Sequence, residues 1–229
     1  SASSAESVSG VDDSGDSAAT PGSLGFGPGG EVATSTDGNG STLDVTEAFV
    51  DSVPAVESAT LVSTGPVYKY RGSMANGPDD VWFWTVDPEE ADDEAVAAAF
   101  ESCVADWAAI DDSRYVAHVV EYDTDPRPWV AFLAAEETVG EMDRSLPRRQ
   151  CRAVIDGVTR ALQAADDAGV THDTLTPDHV HVIEDGEPAA VVSDWGLAAA
   201  VAEAAGRDRD PTPYDAPEQV YDDDPIEET

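Results

Sequence analysis

Lysine is almost missing from this chain: one lysine, Lys69, and ten arginines stand against 48 aspartates and glutamates in 229 residues, a formal charge of −37. Phosphate backbones and anionic membrane surfaces are recognised by clustered cations. The few cations here are scattered, so nucleic acid and membranes are set aside as partners. Cysteine is scarce as well. Cys103 and Cys151 are the only two, each inside a helix-like pattern, which is too few for a disulfide framework and points to free, buried thiols in a reducing cytosol. No apolar run approaches the roughly 20 residues needed to cross a bilayer, and the N-terminus has neither the basic nor the apolar region of a signal peptide. These absences place the protein in the cytoplasm.

What is present is a chain 41% hydrophobic, enough to bury the core of one sizeable domain. Its acids are spread along the whole length. Such a surface suits a high-salt cytosol, where multimolar salt screens carboxylate repulsion to a Debye length of about 3 Å or less, so the chain reads as halophilic, haloarchaeal in composition.

Residues 1–47 read as a disordered Ser/Gly/Asp-rich tail or linker. As far as Thr42, Leu24 and Phe26 are its only apolar groups larger than valine, and such a stretch cannot bury enough to offset its ordering entropy. Short β-type runs follow at Ala59 to Ser63, Val67 to Arg71 and Val81 to Val86, separated by Gly and Pro, which predicts a small antiparallel sheet. A helix is expected over Asp92 to Ile110, with Val96, Phe100, Cys103, Trp107 and Ile110 on one face. Two more strands read at Tyr115 to Tyr122 and Trp129 to Leu133. A second helix starts near Pro147, suited to a first turn, and runs to about Ala168 with Cys151, Val154, Ile155, Val158 and Leu162 as its stripe and Gly169 as its C-cap. A loop, Val170 to Pro177, precedes a hairpin of His179 to Glu184 and Ala189 to Ser193 around Asp185-Gly186, and a polar segment runs to the end.

The stretch from Thr171 to Glu218 resembles the catalytic core of eukaryotic-type Ser/Thr protein kinases. His172-Asp173-Thr174-Leu175-Thr176-Pro177-Asp178-His179 has the frame of the catalytic loop H-R-D-L-K-P-E-N, Asp194-Trp195-Gly196 stands for D-F-G, and Ala216-Pro217-Glu218 is A-P-E intact. Earlier segments then fall into register: Val81 to Val86 with the third strand, Val96 to Ile110 with the helix called C, Trp129 to Leu133 with the strand entering the hinge, and Pro147 to Ala168 with helix E. The resemblance implies an α+β, kinase-like bilobal fold. A small antiparallel-sheet N-lobe with helix C covers residues 48–135. A helical C-lobe covers 136–229 and stops before helix F, so the chain is expected to be an excerpt, or to be completed by partner material.

Phosphoryl transfer in that family needs a lysine–glutamate pair on the α and β phosphates, an aspartate base, an asparagine and the D-F-G aspartate on magnesium, and a Gly-rich loop. On this frame the lysine position holds Val86 and the glutamate position holds Cys103. The base position holds Thr174, whose hydroxyl cannot accept a proton near neutral pH, and the asparagine position holds His179, a poor ligand for magnesium. Thr64-Gly65-Pro66 offers one glycine where the Gly-rich loop belongs, and its proline lacks an N–H. His181 occupies a position that contacts adenine and is apolar in the family. Lys69 is assigned to the second strand as a solvated side chain. Asp194 alone remains of the charged catalytic set.

Each candidate also has a plainer reading. Asp194 either binds a metal or caps a turn, and the cap is favoured. His179 and His181 share one face of a strand by period two and with Asp194 outline a metal site; a chance grouping of three ligands without a fixed second shell is the alternative. His118 reads as a half-buried sheet residue, and Trp82, Trp84, Trp107, Trp129 and Trp195 read as core, as do Cys103 and Cys151. Asp222 to Asp224 and Glu227-Glu228 read as solvated surface. The resemblance and its losses imply a catalytically inactive kinase-like domain, a pseudokinase without cofactor, that docks a protein partner or flanking domains of a longer chain. Two alternatives stay open: an atypical active kinase that uses ATP and Mg²⁺ with Asp194 on the metal and Asp173 as displaced base, and a structural fragment without ligand.

Overall fold

The computed structural model describes residues 42–135, 137–142, 145–183, 189–207 and 212–215. Ala216-Pro217-Glu218, the Asp185-Gly186 turn, the acidic C-terminal residues and the chain before Thr42 lie outside them. Five strands, β1 (Val56–Ser63), β2 (Val67–Met74), β3 (Val81–Val86), β4 (His118–Asp123) and β5 (Trp129–Leu133), form one antiparallel sheet in the order β1-β2-β3-β5-β4. The third strand is buried at every position. Side chains alternate across a strand, and both faces of this one are covered. Trp82, Trp84 and Val86 join a core with helix α2 (Glu94–Ile110), while Val81 and Phe83 join a second core with helix α1 (Thr42–Ser52).

That first helix begins within the stretch assigned to the tail. Phe49 and Val53 sink completely into the outer sheet face, Phe49 stacking on Tyr70 with ring centroids 4.6 Å apart, so two large apolar groups close together suffice to order it. Helix α2 is capped by Asp93, whose carboxylate accepts from the N–H groups of Ala95 and Val96. Val96, Phe100, Trp107 and Ile110 are buried as the periodicity predicts, but the fifth position of the stripe is Val104. Cys103 is half-buried and packs against the α2 core; Cys151, also half-buried, is not the core residue expected. His118 is likewise corrected: it is exposed at the edge of the sheet, with Nδ1 2.8 Å from the carboxylate of Asp111.

The helical part is built on α3 (Arg148–Ala168), closed by Gly169 in the left-handed conformation, and on the two-stranded ribbon of β6 (Val180–Ile183) and β7 (Ala189–Val192). The buried side of α3 is Gly157, Ala161 and Ala165. These small residues let the helix lie against the backbone of β7; a Cβ at Gly157 would stand 2.8 Å from the Ala190 carbonyl oxygen. Of the larger residues of the predicted stripe, half-buried Val158 packs against the core, whereas Ile155 is 67% exposed. The expected polar segment after Gly196 opens instead with helix α4 (Leu197–Ala204), whose Leu197 and Val201 are buried in the α2 core. Residues 115–117 join the two parts: Val192 N–H donates to Tyr115 O and Ala117 N–H to Val192 O, each at 2.9 Å. The result is an α+β, two-lobed, kinase-like fold.

Candidate functional site

The strip linking β6, β7 and the loop after α3 brings His172, Thr174, His179, His181 and Asp194 together. Ser193 holds three of them. Its carbonyl accepts from His172 Nε2 at 2.9 Å, its hydroxyl lies 3.0 Å from His181 Nε2, and its N–H donates to His179 O at 3.0 Å. His172 must carry its proton on Nε2 for that bond, which leaves a buried Nδ1 without a hydrogen-bond partner among the described residues.

Asp194 is completely buried. One carboxylate oxygen accepts from His179 Nε2 at 3.1 Å and from the Thr174 hydroxyl at 3.4 Å; the other accepts from the Ala198 N–H at 3.0 Å, inside the first turn of α4. The last bond ties Asp194 to the first turn of α4. Asp194 and Trp195 both adopt positive φ, 83° and 45°, a strained backbone for non-glycine residues, which Gly196 completes at 80°. His179 closes a short 3-10 turn, Pro177–His179. Burial first, with Lys69 and His172 adding, pulls its pKa below the ordinary 6.5, against the opposing pull of Asp194. A neutral ring donating from Nε2 leaves Nδ1 to accept from the Thr176 hydroxyl, 3.4 Å away.

His181 turns elsewhere. Its Nδ1 donates to Ala135 O at 2.9 Å, so Nε2 accepts from Ser193. Burial drives its pKa down to about 4, with the bond to Ala135 opposing. The indole N–H of Trp82 donates to the same Ala135 carbonyl at 3.4 Å, and the two rings meet edge to face, centroids 5.8 Å apart. His179 and His181 therefore do not share a ligand face. Among the described residues no group of three His, Cys, Asp or Glu side chains could hold a metal ion.

Val86 lies wholly inside the core. Cys103 faces the charges of Asp106, Asp194 and Asp173, but burial is the main cause that raises its thiol to about 11, and it stays protonated. Asp173, itself at φ 58°, accepts from the Thr171 hydroxyl at 3.1 Å. Lys69 is not solvated, and that expectation is corrected. It is half-buried, with Nζ 4.1 Å from the centroid of the Trp84 ring, and its charge is felt at both His179 and His181. The signal for it was present: Val67 and Lys69 share a face by period two, and Val67 is a core residue. Trp82, Ser193 and Arg207 are the other contributors that the sequence reading missed.

Beside this strip opens a cavity of about 570 Å³. The Thr64-Gly65-Pro66 turn, Tyr68 and Asp87 form one wall. Thr174, Thr176, His179 and Asp194 form its floor, and Ala198, Ala199 and Ala202 of α4 face them, with Arg207, Thr212 and Asp215 at the edge. Arg207 is ion-paired with Glu90, which fastens the end of α4 to the segment before α2. Asp173, Cys103 and Val86 are not among the lining residues.

No family model matches the chain. Over 125 residues it is 36% identical to the serine/threonine-protein kinase AfsK of Streptomyces coelicolor and 35% identical to that of Streptomyces griseus. Each match takes in 51% of this chain and 15% of the relative, so the chain spans a small part of these curated proteins. Similarity to kinases and the two-lobed α+β arrangement together support a kinase-like domain. No helix among the described residues is long and apolar enough to cross a membrane.

Proposed function

We propose that this kinase-like domain is catalytically silent and serves as a docking or regulatory module for a protein partner in a high-salt cytosol. The observation that carries the reading is the Ala135 carbonyl, which follows β5 where the resemblance puts the hinge. His181, at the position to which the resemblance assigns adenine contact, and Trp82 both donate to it, and their rings pack edge to face. Opening that contact would strip buried partners from an imidazole and an indole.

The remaining cavity favours the same reading. Among its described lining residues Arg207 is the one Arg or Lys, and it is already paired with Glu90; a polyphosphate would find few of the cations that phosphoryl transfer uses. Asp194 is held by three donors and Thr174 offers no base. The displaced-base alternative gains nothing from Asp173, which accepts from Thr171 and stands outside the cavity lining. The test is incubation with labelled ATP, Mg²⁺ or Mn²⁺ and a generic protein substrate in molar salt. No phosphoryl transfer above an Asp194→Ala control is expected; transfer that Asp194→Ala abolishes contradicts the proposal.

A further inference from the structure

Half of the ten arginines fall between Arg144 and Arg160, and three of them, Arg148, Arg149 and Arg152, lie in the first five residues of α3. The placement runs against two expectations. The positive end of a helix dipole favours acidic side chains in the first turn, and acids outnumber bases 48 to 11 in this chain. Yet the first turn of α3 holds no acid, and Pro147 gives it no side-chain cap.

The exposed Arg148 and Arg152 lead directly into exposed apolar groups. Positions 148, 152, 155, 159 and 162 follow at steps of four, three, four and three, so they form one ridge of the helix. On it Ile155 is 67% and Leu162 38% exposed, and the Thr159 hydroxyl turns back to Ile155 O at 2.7 Å. Cys151 and Val158 border it, half-buried. Packing of α3 on β7 uses Gly157, Ala161 and Ala165 on another face, so the fold does not call on this ridge.

We infer that the ridge is a docking face for an acidic amphipathic segment of a partner protein, whose apolar side chains cover Ile155 and Leu162 and whose carboxylates meet Arg148 and Arg152. Charge selects the occupant: the arginines are concentrated here on a chain whose other surfaces are acidic. The inference rests on the docking half of the function proposed above and is independent of the loss of chemistry. Phosphoryl transfer by the protein would overturn the silence and leave this face untouched.

The probe is a fluorescein-labelled helical peptide of about 18 residues, five turns, with Leu along one face and Glu on the others, titrated by anisotropy with the full chain. A matched peptide with Lys in place of Glu is the control. The acidic peptide is expected to bind, the basic one at least about tenfold more weakly, and affinity for the acidic peptide is expected to fall about tenfold or more in Arg148→Glu/Arg152→Glu and in Ile155→Asp. All three positions are exposed, and unchanged circular dichroism verifies that the variants fold. The inference is overturned if the acidic peptide does not bind, or if every variant and both peptides bind alike. It is overturned as well if sedimentation shows a dimer that Ile155→Asp dissolves, which would make a second copy the occupant. Tighter peptide binding after removal of residues 216–229 would assign the face to the chain's own acidic end and overturn it too.

Discussion

In the cleft, most buried donors and acceptors are matched to one another, with His172 Nδ1 and Arg207 Nε the exceptions among the described residues: Ser193 serves His172, His179 and His181, Asp194 serves His179, Thr174 and Ala198, and Ala135 serves His181 and Trp82. Along the outer ridge of α3, Arg148, Arg152, Ile155 and Leu162 stand in solvent. A buried polar group left without a partner costs about 1–3 kcal/mol, so the matched cleft behaves as core. The ridge contributes little to folding. Stability should therefore reside where a kinase would keep its chemistry, and recognition should reside on a helix face away from it.

The largest effect expected from breaking this comparison is Trp82→Ala. Trp82 is 6% exposed and packs on His181; truncating a buried tryptophan costs about 3–5 kcal/mol, which a urea midpoint should register. A smaller effect comes from protonation. His181 is neutral in the fold down to about pH 4, while an unfolded histidine takes up its proton near pH 6.5. The unfolded state thus binds the extra proton between those values. The contribution of His181 to stability is complete above about pH 6.5 and is lost as pH falls toward 4, by at most about 3 kcal/mol. His179, also shifted down, acts in the same direction. Chemical denaturation of wild type and His181→Leu across pH 4–7 should show the shallower dependence in the variant; parallel curves would contradict the buried neutral ring. Smallest is Ile155→Asp, expected to move the midpoint by less than about 0.5 kcal/mol as an exposed substitution. A large loss there would place the ridge in the fold after all.

Much of the scaffold was legible because it rests on local pattern. The run Val81 to Val86 is apolar throughout and is a strand buried on both faces, and the Asp93 cap and the Val96, Phe100, Trp107 and Ile110 spacing mark α2. The stripe of α3 was misread for a physical reason. Hydropathy weights large side chains, whereas a helix lying on a strand backbone needs small ones, and Gly157, Ala161 and Ala165 carry no strong signal. Helix α4 escaped for a similar reason: its alanine-rich run acquires its burial from α2. In the site, the motifs located Thr174, His179 and Asp194 at one cavity. They could not show that Trp82 and His181 meet at Ala135, a contact that for Trp82 spans 53 residues of sequence.

The account turns on whether the place assigned to adenine is closed. Calorimetric titration of Mg·ATP into the wild-type chain and into Trp82→Ala/His181→Leu, in molar KCl, tests this most directly. The account predicts no saturable heat for wild type up to about millimolar nucleotide, a binding free energy weaker than about −4 kcal/mol, with any binding that appears confined to the opened variant. Saturable binding to wild type that the double substitution weakens would contradict it.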